Sequence, residues 1–294
     1  MSGLRARLRE ATGTLADAGV ESAEHDARAL AAHALGLTRP SDLLMHDELD
    51  EAADSAFTTL VARRAMRVPL QHLVGTVGFR HLELEVGPGV FVPRPETESV
   101  VQWAIDAIAA EGWSAPLVVD LCTGSGTIAF SLAQEVPGVT VHAVELDPDS
   151  LAWTRRNAAR RVAAGDPEVH LHLGSAEDAL PELDGRLDLV ASNPPYVATH
   201  ETHIPDPEVL DHDPGVALWA GVDGLDIIRL VEQAARRLLR PGGLLVVEHS
   251  DRQGGSAPAL LQQAGGWTEI ADHRDLTGRD RFVTARRAPA GTRS

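Results

Sequence analysis

The sequence predicts a mostly parallel, doubly wound α/β sheet preceded by a small bundle of helices. Three observations carry that prediction. After Pro116, short apolar runs alternate with longer segments of helical period, the pattern of a parallel sheet with helices on both faces. The last two strand-like runs, 267–273 and 281–286, should close the sheet as an antiparallel pair. The first seventy or so residues hold helical stripes and few strand signals.

Taken in order, Leu4, Leu8, Ala11 and Leu15 share one helical face. Ser22 can cap a second helix, with Glu24 and Asp26 in its first turn, Leu30, Ala34 and Leu35 on its apolar stripe and Gly36 at its end. A short helix follows Pro40 and Ser41. A third long one spans 50–66, with Phe57, Leu60 and Val61 inward. Arg63, Arg64 and Arg67 cluster near its end, either as a solvated end that complements the helix dipole or as a partner-binding patch.

Residues 76–79 and 82–86 alternate as a hairpin, and Gly87-Pro88-Gly89 turns the chain. An extended segment, 91–98, leads into a helix at 96–110 whose cap is Glu96 or Thr97. Buried strands follow at 117–121, 139–146, 169–173, 187–192 and 244–249, with helices at 127–135, 148–164 and 224–239. Arg240-Pro241-Gly242-Gly243 is the clearest break. The chain therefore divides into a helical domain at 1–75, a hairpin linker at 76–92, a sheet domain at 93–287 and a disordered tail at 288–294.

Composition narrows the function. A hydrophobic content of 44% is enough for a packed core, and no apolar run approaches the roughly 18 residues of a membrane span. The N-terminus lacks an apolar signal core, so a cytoplasmic protein is expected. One cysteine, Cys122, excludes an internal disulfide and a cysteine-based zinc site. Net charge is −17, which argues against duplex DNA or a membrane as main partner and fits a cationic one. Every basic residue is Arg, which reads as coding bias.

Two motifs carry chemistry. Ser192-Asn193-Pro194-Pro195-Tyr196 follows a buried strand, and its two prolines force the chain out of the sheet where open α/β folds bind ligands. An –NH2 group offers two donors and needs two acceptors, which the Asn193 side-chain oxygen and the Pro194 carbonyl can supply. Tyr196 adds a flat face for a planar amide or base.

The second motif, Asp120-Leu121-Cys122-Thr123-Gly124-Ser125-Gly126, ends a strand and opens a helix. Its spacing fits neither a dinucleotide fingerprint nor a phosphate-binding P-loop. An acid before a short Gly-rich turn suits a ligand with a positive centre and no phosphate chain, such as S-adenosylmethionine. Glu145 ends the next strand, about twenty residues on, where an acid can accept both ribose hydroxyls, and Asp147 reads as a helix cap.

With these residues in place, the chain resembles the class I methyltransferases, and within them the protein-(glutamine) methyltransferases that modify peptide chain release factors. The resemblance spans nearly the whole chain. It includes 69–75, Val92-Pro93-Arg94-Pro95-Glu96-Thr97-Glu98, the Gly-rich turn, Ser192 to Tyr196, Glu248-His249 and Asp275 with 278–281. The Pro-Arg-Pro-Glu-Thr-Glu segment discriminates most, since general amino-methyltransferases usually lack it. Where the family often has glycine this chain has Cys122, and where it commonly has an acid and an aromatic at the adenine it has Ser175 and Ala176.

The resemblance implies a Rossmann-like class I fold and methyl transfer to the glutamine of a Gly-Gly-Gln loop. Asn193, Pro194 and Tyr196 would be catalytic. Asp120, Cys122, Thr123, Gly124, Ser125, Gly126, Glu145, Ser175, Ala176 and Asn193 would hold S-adenosylmethionine, leaving S-adenosylhomocysteine as product. Asn193, Pro194, Pro195, Tyr196, Arg94 and Glu96 would bind substrate. The helical domain would grip a class-1 release factor. A monomer is expected, without direct nucleic acid or membrane contact.

No metal is expected, although His200, His203, Asp206, Asp211 and His212 fall in a long segment, 197–223, expected to shape the substrate mouth. Two competing readings are an adenine amino-group methyltransferase acting on DNA or RNA, which uses a similar motif, and a non-catalytic cofactor-binding protein. The acidic charge opposes the first, and intact Asn193 and Tyr196 the second.

Overall fold

The computed structural model describes residues 3–199 and 207–289. They form two compact units, one of 3–76, 86–88 and 207–212 and the other of 77–85, 89–199 and 213–289.

The smaller unit is helical: α1 (Leu4–Asp17), α2 (Ala23–Ala34), a 3-10 turn (Pro40–Met45), α3 (Glu51–Ala65) and α4 (Leu70–Val74). Leu4, Leu15, Leu30, Phe57, Val61 and Leu73 form its core, the apolar stripes of the sequence turned inward. Asp50 caps α3 by accepting from the Ala53 N–H at 2.8 Å, a bond of about 1 kcal/mol. Ser22 stands at the start of α2, but its hydroxyl donates to Asp26 Oδ1 rather than accepting a helix N–H. The five-residue α4 is too short to show a period in sequence.

In the larger unit, the hairpin of β1 (Thr76–Phe79) and β2 (Leu82–Glu85) precedes α5 (Thr97–Glu111). The sheet then builds from β3 (Leu117–Leu121), α6 (Thr127–Glu135), β4 (Thr140–Glu145), α7 (Pro148–Ala163), β5 (His170–Leu173) and β6 (Leu187–Ser192). After α8 (Pro207–His212), which belongs to the smaller unit, the larger unit continues with α9 (Asp226–Leu238), β7 (Leu239–Glu248), α10 (Ser256–Ala264), β8 (Trp267–Arg274) and β9 (Asp280–Arg287). The strand order is β5-β4-β3-β6-β7-β9-β8. β9 runs antiparallel to both neighbours, in line with the expected antiparallel closing pair. One face packs against the hairpin, α5 and α6, the other against α9 and α10.

Two features depart from the sequence reading. Residues 240–243 do not separate helix from strand, because β7 already pairs at Leu239. Leu187 opposes Leu239 and Leu189 opposes Leu244, so the extra residues bulge from the ladder. Pro241 has no N–H to give to that ladder. The helix α10 was not predicted. It is nine residues long with Pro258 in its first turn, and only Ala257 and Leu261 are buried.

Of the arginines near the end of α3, Arg64 and Arg67 are neither a solvated end nor a free patch. Arg64 Nε donates to Asp26 Oδ2 at 2.7 Å, and Arg64 Nη1 donates to Glu208 Oε1 on α8 at 2.7 Å. Arg67 Nη2 donates to Glu208 Oε2 at 2.6 Å. Arg64 and Asp26 are buried, whereas Arg63 is exposed as expected. Buried charges persist only when paired, and Asp26, Arg64, Arg67 and Glu208 pair with one another.

Candidate active site

Four strands end level with one another. Leu121 of β3 pairs with Val144 of β4 and Ser192 of β6, and Ser192 pairs with Val247 of β7. Residues 122, 145, 193 and 248 therefore leave the sheet side by side at its carboxyl edge. The strand order reverses between β3 and β6, the position where open α/β sheets take ligands. The Ser192 hydroxyl donates to the Leu121 carbonyl at 2.7 Å, and the Thr123 N–H to the Val144 carbonyl at 3.1 Å. Both bonds fasten the Gly-rich turn to its neighbours.

Within the turn, buried Asp120 Oδ2 accepts from the Thr123 hydroxyl at 2.6 Å and the Ala129 N–H at 3.1 Å. Asp120 Oδ1 is buried and has no partner. Burial pushes this carboxyl up to about 7, despite both bonds. Cys122 takes a left-handed φ of 61°, strained for a residue with a side chain. Its thiol is pushed up to about 12 by burial and by Glu145 and Asp120, which favours the protonated form.

Gly126 has φ 91°, and a Cβ there would overlap the Phe130 ring. A Cβ on Gly124 would meet nothing within 4 Å, so space is open above that residue. Ser125 and Thr127 bond each other through their hydroxyls at 2.9 Å.

Glu145 stands beside the turn. Its Oε2 accepts from the Gly124 N–H at 2.8 Å and its Oε1 from the Asp147 N–H at 2.9 Å. Burial raises its pKa against these bonds. Asp147 caps α7, accepting from the Asp149 N–H at 3.1 Å. Ser175 and Ala176 follow β5, whose Leu173 pairs with Glu145. The Ser175 hydroxyl accepts from the Glu177 N–H at 3.2 Å, and Ala176 packs on the core. The β3, β4, β5 and β6 ends thus bring every sequence-read cofactor residue, Asn193 included, to one edge of the sheet. A buried unpartnered acceptor, a second carboxylate and open space over Gly124 fit a ligand with an amino group and a ribose.

Asn193 and Pro194 begin the exit from β6. Asn193 Nδ2 donates to the Thr97 hydroxyl oxygen at 3.2 Å. Among the described residues, no donor reaches Asn193 Oδ1 or the Pro194 carbonyl. Two acceptors are thus left open at adjacent positions. Pro195 and Tyr196 are half-buried, and the Tyr196 carbonyl accepts from Gln253 Nε2 at 3.2 Å. The same Gln253 nitrogen donates to the Gly224 carbonyl at 3.0 Å.

Glu248 ends β7 with 1% of its surface exposed. Its Oε2 is buried and has no hydrogen-bond partner. Burial raises this carboxyl to about 7, against the pull of Arg281. Burial and the Glu248 charge raise the Tyr196 phenol. The charges of Arg281 and Arg94 pull that phenol down and that of Glu96 pushes it up. Arg94 Nη2 pairs with Asp213 Oδ2 at 2.9 Å and stacks over Phe91. His249 is a strand fastener: Nδ1 meets the Ser250 carbonyl and Nε2 meets Asp272 Oδ1 on β8, both at 2.8 Å.

Sequence reasoning missed Thr97 and Gln253 as site residues. Thr97 looked like a helix cap, but Glu96 holds the cap position and the Thr97 hydroxyl turns to Asn193. Gln253 carried no local signal. Of the loop residues that raised a metal, His200, His203 and Asp206 lie outside the described residues. Among the described residues, no group of three or more His, Cys, Asp or Glu is arranged to hold a metal ion.

The fold and the strand-end site define an S-adenosylmethionine-dependent methyltransferase of the Rossmann-like class. The model of a methyltransferase domain matches residues 115–275, and that of a PrmC N-terminal domain matches 7–75. A release factor glutamine methyltransferase of Streptomyces coelicolor is 54% identical, over 98% of this chain and 99% of its own. A 4-amino-L-phenylalanine/4-methylamino-L-phenylalanine methyltransferase of Streptomyces pristinaespiralis is 43% identical, over 90% of this chain and 89% of its own. The solved catalytic domain of hMettl16 is similar in fold, with a TM-score of 0.55 at 15% identity, covering 78% of this chain and 81% of that one. The chain belongs to the release factor glutamine methyltransferase family.

Proposed function

We propose that this enzyme transfers a methyl group to the side-chain amide nitrogen of the glutamine in the Gly-Gly-Gln loop of class-1 peptide chain release factors. The observation that carries the reading is the pair of open acceptors, Asn193 Oδ1 and the Pro194 carbonyl, beside the Gly-rich turn. A primary amide nitrogen is a poor nucleophile because its lone pair is delocalised into the carbonyl. Held by both hydrogens, it presents its remaining face in one direction, and orientation of that kind is a large part of catalysis. Tyr196 packs on the amide plane and, with Pro195, excludes water.

S-adenosylmethionine supplies an electrophilic methyl on its sulfonium when bound. Asp120 would take its amino group, the 122–126 turn its backbone contacts and Glu145 its ribose, with Ser175 and Ala176 beside the adenine. Arg94 and Glu96 would receive the substrate loop. Residues 1–75 would act as the release-factor-binding domain, 76–92 as a linker and 93–287 as the catalytic domain. The enzyme would act in the cytoplasm as a monomer. No helix among the described residues is long and apolar enough to cross a membrane.

The test is methyl transfer to a release factor by Asn193→Ala. Loss of one acceptor should lower turnover by about 100-fold or more while S-adenosylmethionine affinity stays within about threefold. Unchanged turnover refutes the clamp. The Streptomyces pristinaespiralis relative, named for an aromatic amine, supports a second reading, since the same acceptors suit an aryl –NH2. Turnover of 4-amino-L-phenylalanine but not of a release factor would decide for it.

A further inference from the structure

We propose that Val216, Trp219 and Val222 form an apolar docking surface for the release factor that carries the target glutamine, with Trp219 as its anchor. The inference rests on the methyl-transfer reading of the site and adds where the protein substrate is gripped. These side chains are 50%, 38% and 71% exposed. Apolar side chains scattered singly are ordinary on a protein surface. These three recur at every third position of one short segment, and Leu218 and Ala220 within it are buried. The chain thus turns Leu218 and Ala220 inward and leaves the indole between them facing water.

The segment is built onto the exit from the Asn-Pro-Pro-Tyr motif. The Val197 N–H donates to the Leu218 carbonyl and the Ala220 N–H to the Val197 carbonyl, both at 2.9 Å, so Trp219 pairs with the residue that follows Tyr196. The Thr199 N–H adds a third bond, to the Gly221 carbonyl at 2.8 Å. The flanks are fastened too. Arg94 holds Asp213 on one side, and on the other Gln253 Nε2 ties the Gly224 carbonyl to that of Tyr196. A surface held in this way loses little freedom when a partner covers it. Four residues and one strand spacing separate Asn193 from Trp219, at most about 20 Å, so a folded protein offering its glutamine to Asn193 spans both. Asp223 and Asp226, beside Val222, share Arg229. Two acids on one base leave a negative rim, the complement of a cationic partner.

Trp219→Ala should raise KM for the release factor by about tenfold, with kcat and the S-adenosylmethionine Kd within about twofold, and Trp219→Phe should keep most of the affinity. Val222→Asn, at a more exposed position, should raise KM by about threefold with the melting temperature unchanged. In protein labelled with fluorotryptophan, the fluorine NMR signal of residue 219, assigned by its absence from Trp219→Phe, should move when the release factor is added. Unchanged KM in both Trp219→Ala and Val222→Asn overturns the surface, as does a loss confined to kcat or a residue 219 signal that stays in place while the release factor is bound. Should the wild type itself leave the release factor unmethylated, the reaction reading fails, and the fluorine signal still decides whether that protein docks on Trp219.

Discussion

Gly124 and Gly126 look interchangeable in the sequence, two glycines of one turn. Their surroundings differ. A Cβ on Gly126 would strike the Phe130 ring, whereas one on Gly124 would enter open space. Gly126→Ala should therefore destabilise the fold by about 2–4 kcal/mol, through overlap and left-handed strain together. Gly124→Ala carries only the strain, about 1 kcal/mol, and should instead weaken S-adenosylmethionine binding by blocking the space over the turn. Thermal melts and cofactor titration of both variants separate the two effects; equal loss of stability would contradict the assignment. Asp120, Glu145 and Asn193 were legible because acids and amides at strand ends have few uses. Thr97 was not, because its hydroxyl has an ordinary use as a cap and its actual partner is 96 residues away.

Secondary structure carried most of the legible information. Strands 117–121 and 187–192 and helix 127–135 stand where their apolar periods put them. The bulge at 240–243 and the pairing of Arg64 escaped for one reason: both are set by contacts between distant segments. Arg64 reaches Asp26 and Glu208, 38 and 144 residues off. Arg64→Ala would strand a buried Asp26 and should cost about 3 kcal/mol of stability by urea titration, more than Arg63→Ala.

Burial alone would raise the Glu208 carboxyl, but Arg67 and Arg64 outweigh it and hold it at about 2. A depressed folded pKa means that the unfolded chain takes up the proton first. The Glu208 contribution is thus full above its unfolded pKa of about 4.3 and disappears as pH falls toward 2. The stability difference between wild type and Glu208→Gln, measured across that window, should shrink as acid is added. A difference constant with pH would contradict the ion-pair account.

On the scale of the whole molecule, the alternation after Pro116 and the helical start were enough to place the chain in its fold class. The charge of −17 was equally plain. Steering by net charge is screened by salt. For a cationic release-factor loop, kcat/KM should fall about threefold or more between low salt and about 0.3 M, with the S-adenosylmethionine Kd little changed. A rate independent of salt would remove charge from the account. What composition and pattern could not give is how the functional side chains are aimed, because that depends on which strand ends stand side by side.

The most direct test of the central claim is a mass spectrum of a release factor incubated with the wild-type enzyme and S-adenosylmethionine, with fragmentation to locate any modification. One added methyl on the side-chain nitrogen of the Gly-Gly-Gln glutamine, absent with Asn193→Ala, is the predicted result. An unmodified glutamine, in a preparation that binds the cofactor, would contradict it.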